Sequence, residues 1–273
     1  MFFINLYIIE IMNGIISWPF LRYRIRMKQL LTLILLFAMA LSASAQKRKV
    51  QNRPYIDLRP MHFGISIGLN MQDMEVQNVG PQLIDMPDGS QVPAQILSDV
   101  DMWNPGFSVG VLADMRLSQH FSLRVTPTMH FGSKRLYFRN MLVMNDSGQP
   151  LESTQDLKCT YLSVPVDLKF SAERFNNYRP YILAGVSPMI NLAGKDQDYV
   201  QLKRYDLMLE LGLGCDRYLP FFKFAPELKF CYGLADVLDK NHAGELTDVN
   251  KRSYAQSISR ATTKMIVLTL YFE

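Results

Sequence analysis

Phe222, Phe224, Pro226, Leu228, Phe230, Tyr232 and Leu234 alternate one for one with Lys223, Ala225, Glu227, Lys229, Cys231 and Gly233. Side chains that repeat every second residue lie on one face of a β-strand, so this run is a strand with one apolar face and one charged or small face. The split recurs in Phe63, Ile65, Ile67, Leu69 against His62, Gly64, Ser66, Gly68, Asn70, and in Phe107, Val109, Val111, Ala113, Met115 against Ser108, Gly110, Leu112, Asp114, Arg116. It returns over 121–131, over 161–170, more weakly near 180–192 and 205–217, and last in Ile266, Leu268, Leu270, Phe272. No amphipathic helix interrupts the series.

Eight such runs predict an all-β chain, and the connections between them alternate in length. The stretches 118–120, 172–178 and 219–220 are short turns, whereas those near 71–104, 140–156, 193–204 and 236–259 are long and polar. Short turns at one end and long loops at the other predict an eight-stranded antiparallel transmembrane β-barrel, with its turns and both termini in the periplasm and its loops outside the cell. A closed barrel satisfies every backbone group within the protein, as lipid demands. A water-soluble barrel would carry the same alternation with its apolar row turned inward. Gly and Ser on the polar row suit a narrow lumen better than a solvent surface, and the last strand runs to Tyr271-Phe272-Glu273, an aromatic finish common in outer-membrane barrels.

With that phase, Asp114, Arg116, Arg124, Asp167, Lys169, Glu210, Asp216, Lys223, Glu227 and Lys229 face inward as a lumenal charge network of balanced sign. A lumen of eight strands holds its own side chains or one small ligand, so structural filling is expected and a diffusion pore is not. Pro127, Pro165, Pro188 and Pro226 fall inside predicted strands, where each removes a ladder donor, and they are expected at bulges or near the rim. Gly64, Gly68, Gly110, Gly212 and Gly214 are expected to make room for long charged side chains opposite them.

The amino terminus predicts the compartment. Residues 29–46 are uncharged, follow Arg22, Arg24, Arg26 and Lys28, and close on Ala43-Ser44-Ala45, the layout of a cleavable signal peptide. A retained anchor is the alternative. Met27-Lys28-Gln29 begins a complete leader, so 27–45 is read as the signal peptide, 1–26 as an upstream extension outside the gene product, 46–60 as a basic periplasmic arm and 61–273 as the barrel. Of the 29 Lys+Arg and 25 Asp+Glu, removing the four basic residues above and Glu10 leaves 25 basic and 24 acidic, so no nucleic-acid partner is expected. Cys159, Cys215 and Cys231 have no metal-ligand spacing. Free thiols are expected, with a Cys215–Cys231 disulfide as the alternative, and neither metal nor cofactor is implied.

Several segments carry more than pattern. Tyr55-Ile56-Asp57-Leu58-Arg59, His62-Phe63-Gly64, Pro105-Gly106-Phe107-Ser108-Val109-Gly110, Asn177-Tyr178-Arg179-Pro180-Tyr181, Pro226-Glu227-Leu228-Lys229-Phe230-Cys231 and Ala261-Thr262-Thr263-Lys264-Met265-Ile266-Val267-Leu268-Thr269 resemble the PorT family, over essentially all of residues 27–273. The resemblance implies an outer-membrane barrel required by the type IX secretion system, which exports proteases and adhesins. It implies no catalytic residues. The expected partners are outer-membrane lipid, the insertion machinery that folds barrels into that membrane, and other secretion components, contacted through the outer loops or through Lys47, Arg48, Lys49, Arg53 and Arg59. A solvated tether is the plainer reading of that arm. Two other functions stay open: a surface adhesin or small channel, and an enzyme with a rim site built on His130.

Overall fold

The computed structural model describes residues 50–85, 91–100, 103–146, 148–193, 199–246 and 249–273. Residues 1–26, read as an upstream extension, residues 27–45, read as a signal peptide, and Lys47, Arg48 and Lys49 of the expected arm lie outside the described residues. In chain order the strands are β1 (Met61–Asn78), β2 (Gln82–Asp85), β3 (Gln91–Ala94), β4 (Ile96–Val100), β5 (Asn104–Arg116), β6 (Phe121–Val125), β7 (Thr128–Met144) and β8 (Pro150–Ser163). They continue as β9 (Val166–Ser171), β10 (Tyr178–Asn191), β11 (Tyr205–Tyr218), β12 (Lys223–Gly233) and β13 (Ile258–Phe272). Two short helices, α1 (His242–Glu245) and α2 (Val249–Gln256), lie between β12 and β13.

Every pairing is antiparallel, and the sheet closes on itself. β1 pairs with β13 from Ile65↔Phe272 upward and with β5 from Met61↔Met115 to Gln72↔Asn104. From β5 the wall runs through β6 with β7, β8 with β9, then β10, β11, β12 and back to β13, a ring of eight. The two compound strands are each broken at a proline. Pro127 separates β6 from β7 and Pro165 separates β8 from β9, and the wall is knitted across the gap by Thr126 N donating to Pro165 O at 3.3 Å and Val111 N donating to Pro127 O at 3.0 Å. Both prolines thus take positions where no ladder donor is needed. Pro226 stays inside β12, and the β11–β12 ladder omits Cys215 and Asp216 opposite it. Pro188 stays inside β10 opposite Leu207, and its carbonyl accepts from Val164 N at 3.1 Å.

The apolar row faces outward. Phe63, Ile65, Ile67, Leu69 and Met71 on β1 are 49% to 68% exposed, while Ser66, Asn70 and Gln72 between them are buried. Leu207, Leu209, Leu211 and Leu213 on β11, and Phe230 and Tyr232 on β12, continue the exposed belt around the wall. In water such a belt would forfeit the burial of apolar surface that drives folding; in hydrocarbon it is the matched face. That excludes the soluble-barrel alternative. Among the described residues no helix is long and apolar enough to cross a membrane.

The chemistry of the two faces then reverses at one level of the wall. On β1 the outward row changes from Met71 to Asp73 and Glu75, and the inward row from Asn70 and Gln72 to Met74. On β7 the outward row changes from Phe131 to Ser133 and Arg135, and the inward row from His130 and Lys134 to Leu136 and Phe138. Outward ion pairs stand above this level: Lys264–Glu75 at 2.6 Å, Arg135–Asp156 at 2.6 Å and Arg139–Glu152 at 3.0 Å. Register places Asp73 opposite Lys264 and Met71 opposite Ile266, so the change from lipid to water falls between these pairs.

Above the boundary the fold is that of a small water-soluble core. Met74, Leu136, Phe138, Ile258 and Ala261 from the wall meet Ile96 of β4, Val200, Val237 and Leu238 of the loops and Tyr254 of α2. The rings of Phe138, Tyr199 and Tyr254 form a triad with centroids 4.9 to 5.5 Å apart. The regions near 71–104 and 140–156, expected as long loops, are therefore largely strand: β1 runs to Asn78, β7 to Met144 and β8 starts at Pro150. Their outward charges ended the apolar alternation because the strands had left the membrane, not because they had ended.

Candidate functional site

Short turns at the periplasmic end and apolar rows against lipid leave the inward polar row no partners but itself. Arg124 of β6 is fully buried, and its Nη1 donates to Glu227 Oε2 at 2.7 Å while Nε and Nη2 both donate to Asp114 Oδ2 at 3.2 and 3.0 Å. The guanidinium lies between the rings of Tyr181 and Tyr271, at 5.2 and 5.1 Å from their centroids. The same two tyrosines donate their hydroxyls to Glu227, at 2.7 and 3.1 Å. Around this centre Lys169 Nζ donates to Asp216 at 2.8 Å and sits 3.8 Å over the Tyr181 ring, while Lys229 Nζ bridges Asp167 at 2.7 Å and Glu210 at 3.1 Å. Lys223 pairs with Glu273 and approaches Asp216 at 3.9 Å.

Nine of the ten residues expected in the lumen are buried in this cluster: Asp114, Arg124, Asp167, Lys169, Glu210, Asp216, Lys223, Glu227 and Lys229. Arg116 is placed instead at the periplasmic rim, half-buried, donating from Nε to Ser118 O at 3.2 Å. Glu273, Tyr181 and Tyr271 belong to the cluster and were not singled out by charge. Glu273 shares the odd-numbered inward phase of Tyr271 in β13, which was the signal available for it. Gly214 accommodates the Tyr181 ring, since a Cβ there would meet its hydroxyl oxygen at 2.5 Å, and Gly212 makes room for Lys229 Cγ and Leu183. Gly68 and Gly110 instead face backbone and threonine atoms of neighbouring strands, so backbone proximity rather than a long charged partner explains them.

Above the ionic cluster His130 sits in a hydrogen-bond chain whose direction is set by chemistry. Asn70 Nδ2, which can only donate, lies 2.8 Å from Ser108 Oγ, and Ser108 Oγ lies 2.8 Å from His130 Nδ1. On the other side His130 Nε2 lies 3.0 Å from Ser163 Oγ, whose hydroxyl donates to Thr128 O at 3.2 Å. Ser108 therefore donates to Nδ1, and Nε2–H donates to Ser163. An imidazole in this tautomer cannot take a proton from Ser163, so the pair is not arranged as base and nucleophile.

The periplasmic mouth is closed by residues 51–59. Asn52 N donates to Asn177 Oδ1 at 3.0 Å, Asn52 Nδ2 donates to Tyr218 O at 3.0 Å, and Tyr218 donates its hydroxyl to Asp57 Oδ1 at 2.5 Å. Arg174 stacks 3.5 Å over the Tyr218 ring and donates to the carbonyls of Asn52 and Arg53, the latter at 3.1 Å. Ile56, in a single 3-10 turn, is buried beneath. Within the expected basic arm, Arg53 is spent on the chain itself, donating to the Glu273 carbonyl at 3.3 Å, and Arg59 remains exposed at the rim. Cys159, Cys215 and Cys231 are free thiols. Cys215 lies on the outward row of β11 and Cys231 on the inward row of β12, so they sit on opposite faces of the wall.

Among solved structures the chain is similar to Neisserial surface protein A (11% identity, 78% of this chain and 98% of that one, TM-score 0.38). It is similar also to the attachment invasion locus protein Ail of Yersinia pestis (13%, 78% and 98%, 0.32) and to OprG of Pseudomonas aeruginosa (15%, 77% and 91%, 0.36). No curated protein matches it by sequence. The family model described as an outer membrane protein beta-barrel domain matches residues 44–239. With an outward apolar belt, a buried charged interior and this match over most of its length, the chain belongs to the outer membrane protein beta-barrel family and resides in the cell outer membrane.

Proposed function

We propose that this barrel is a non-enzymatic, non-conducting accessory component of the type IX protein secretion system, which acts through the surfaces at its two ends. The observation that carries the reading is the filled lumen: an ionic cluster and the 51–59 segment occupy the periplasmic half, and an aromatic core occupies the extracellular half. A lumen of eight strands holds either its own side chains or one small ligand, and here the side chains take the space. His130, Ser108 and Ser163 are all buried inside the barrel rather than open at its rim, which argues against a rim enzyme.

The secretion reading rests on the PorT-like segments, and their placement supports it. Tyr55–Arg59 and 177–181 meet through the Arg179–Asp57 pair at 3.7 Å, and the latter joins 226–231 through Tyr181 and Glu227 at 2.7 Å. These segments thus share one task, closing and shaping the periplasmic face, where secretion components and cargo are met.

Deletion of the gene should leave protease cargo in the periplasm, and expression of residues 27–273 should restore export. The purified barrel should show no conductance steps in planar bilayers. Normal export in the deletion strain would overturn the secretion reading, and regular conductance steps the non-conducting one.

A further inference from the structure

The eight-membered wall is complete only up to the membrane boundary on one side. β10 pairs with β8 through Met189↔Ser163, Ile190↔Leu162 and Asn191↔Tyr161 and then ends, whereas β8 continues outward with β7 alone. A cleft of about 720 Å³ opens there between the β8 edge and the connection from β10 to β11. Lys158, Lys203 and Arg204 line it, all three exposed. Among the described residues none of the three pairs with a carboxylate, and Lys203 Nζ donates to the Asp236 backbone carbonyl at 2.8 Å. Among the described residues of the lining, Asp239 is the one acidic residue.

Directly below, on the lipid-facing surface, a second hollow of about 560 Å³ is lined by Leu162, Val164, Pro188, Ile190 and Leu207. Tyr205 borders both hollows. The two meet at the level where the outward row changes from Leu162 to Lys158. An apolar groove at acyl-chain depth that ends under three cations at headgroup depth has the chemistry of an anionic amphiphile. Basic side chains just outside a bilayer draw anionic headgroups, and aromatic residues sit at that interface.

We infer that this lateral cleft binds a phosphate-bearing lipid of the outer leaflet, with an acyl chain along Val164 and Pro188 and its phosphate at Lys158, Lys203 and Arg204. The occupant is the lipid rather than a soluble anion because the apolar groove is continuous with the cationic rim. The inference rests on the outer-membrane location alone and stands whether or not the barrel serves secretion.

Native mass spectrometry of the full chain in detergent, titrated with diphosphoryl lipid A, tests it. The wild type should retain lipid A over phosphatidylcholine, and the triple variant K158Q/K203Q/R204Q should bind it about tenfold to a hundredfold more weakly. Val164→Trp, which fills the groove from the lipid side, should weaken lipid A binding without altering any charge. The variant R135Q/R139Q, which removes two basic residues elsewhere on the outer surface, should bind as the wild type does. Each protein is first checked for the compact mobility of a folded barrel on unheated gels. Equal retention of phosphatidylcholine, or equal weakening by R135Q/R139Q, would overturn the site. Displacement of lipid A by inorganic phosphate, with Val164→Trp unaffected, would reassign it to a soluble anion and overturn the lipid.

Discussion

Arg124 and Glu227 lie 103 residues apart in the chain and 2.7 Å apart in the lumen, the guanidinium of one strand held against the carboxylate of a strand on the other side of the barrel. The pair ties two parts of the wall that share no backbone hydrogen bond. Both side chains are removed from water, so their charges are balanced by each other, by Asp114 at 3.0 Å and Glu273 at 3.9 Å from the guanidinium, by Lys229 at 3.7 Å from Glu227, and by the hydroxyls of Tyr181 and Tyr271.

Removing one partner should be costly for that reason. Arg124→Met leaves Asp114 and Glu227 buried and facing each other, and the expected loss is about 3–5 kcal/mol of folding stability. R124M/E227Q should recover part of that loss. Urea-driven unfolding in lipid vesicles measures both, and a strictly additive double variant would refute the coupling.

His130 should carry its proton on Nε2. Nitrogen-15 NMR of the labelled barrel reads the tautomer directly, and an Nδ1–H form would contradict the direction assigned to the Asn70–Ser108–His130–Ser163 chain. His130→Ala should destabilise the barrel by about 1–3 kcal/mol, because Ser108 and Ser163 lose their buried partner.

Phe138 holds the extracellular core through its contacts with Tyr199 and Tyr254. Phe138→Ala should cost about 3–5 kcal/mol within that core and free the outer connections. Limited proteolysis of intact cells should then cut near 192–204 and 236–257 faster than in the wild type, while the membrane strands stay protected. An unchanged cleavage pattern would mean that the ring triad does not hold the outer connections.

Asp236, in the connection after β12, ties that connection to β13. Partial burial pushes its carboxyl up, but the N–H groups of Ala261 and Leu238 and the Lys240 ammonium at 3.2 Å outweigh burial and hold it below the usual carboxylate range. A folded-state value lowered in this way stabilises the fold above the unfolded value of about 3.9 and loses that contribution as pH falls through the folded value. The protection of the Ala261 and Leu238 amides from hydrogen exchange, relative to the intrinsic rate at each pH, should therefore fall below about pH 4. Asp236→Asn should remove this acid dependence, and the same pH profile in that variant would exclude Asp236 as its source.

Strand phase was legible in the sequence wherever a strand lies in lipid, because there the two faces meet opposite solvents. Lys229, Glu227 and Arg124 could be assigned to the lumen by parity alone. The extracellular parts of β1, β7 and β8 were not legible as strands, since Met74, Leu136 and Phe138 on the inward row and Asp73 and Arg135 on the outward row invert the pattern without breaking its period. Tyr181 was missed because its strand, read from 180 onward, carries Ala184, Gly185 and Pro188, which blur the alternation. The 51–59 segment looked like a tether because nothing in its composition announces that Arg174, Asn177 and Tyr218 will gather around it.

By itself the amino-acid order determined which side chains face lipid and which face inward, where the periplasmic turns fall, and that the inward charges nearly balance. Those follow from a period of two and from local turn chemistry, which need no distant partner. Only the tertiary structure decided that Arg124 takes Glu227, that His130 donates to Ser163, that β8 outruns β10 to leave a basic cleft at the membrane edge, and that residues 51–59 fold over the periplasmic mouth. Each of these depends on the register and closure of strands far apart in the chain, and register is fixed by the packing of the whole ring rather than by any one of its strands.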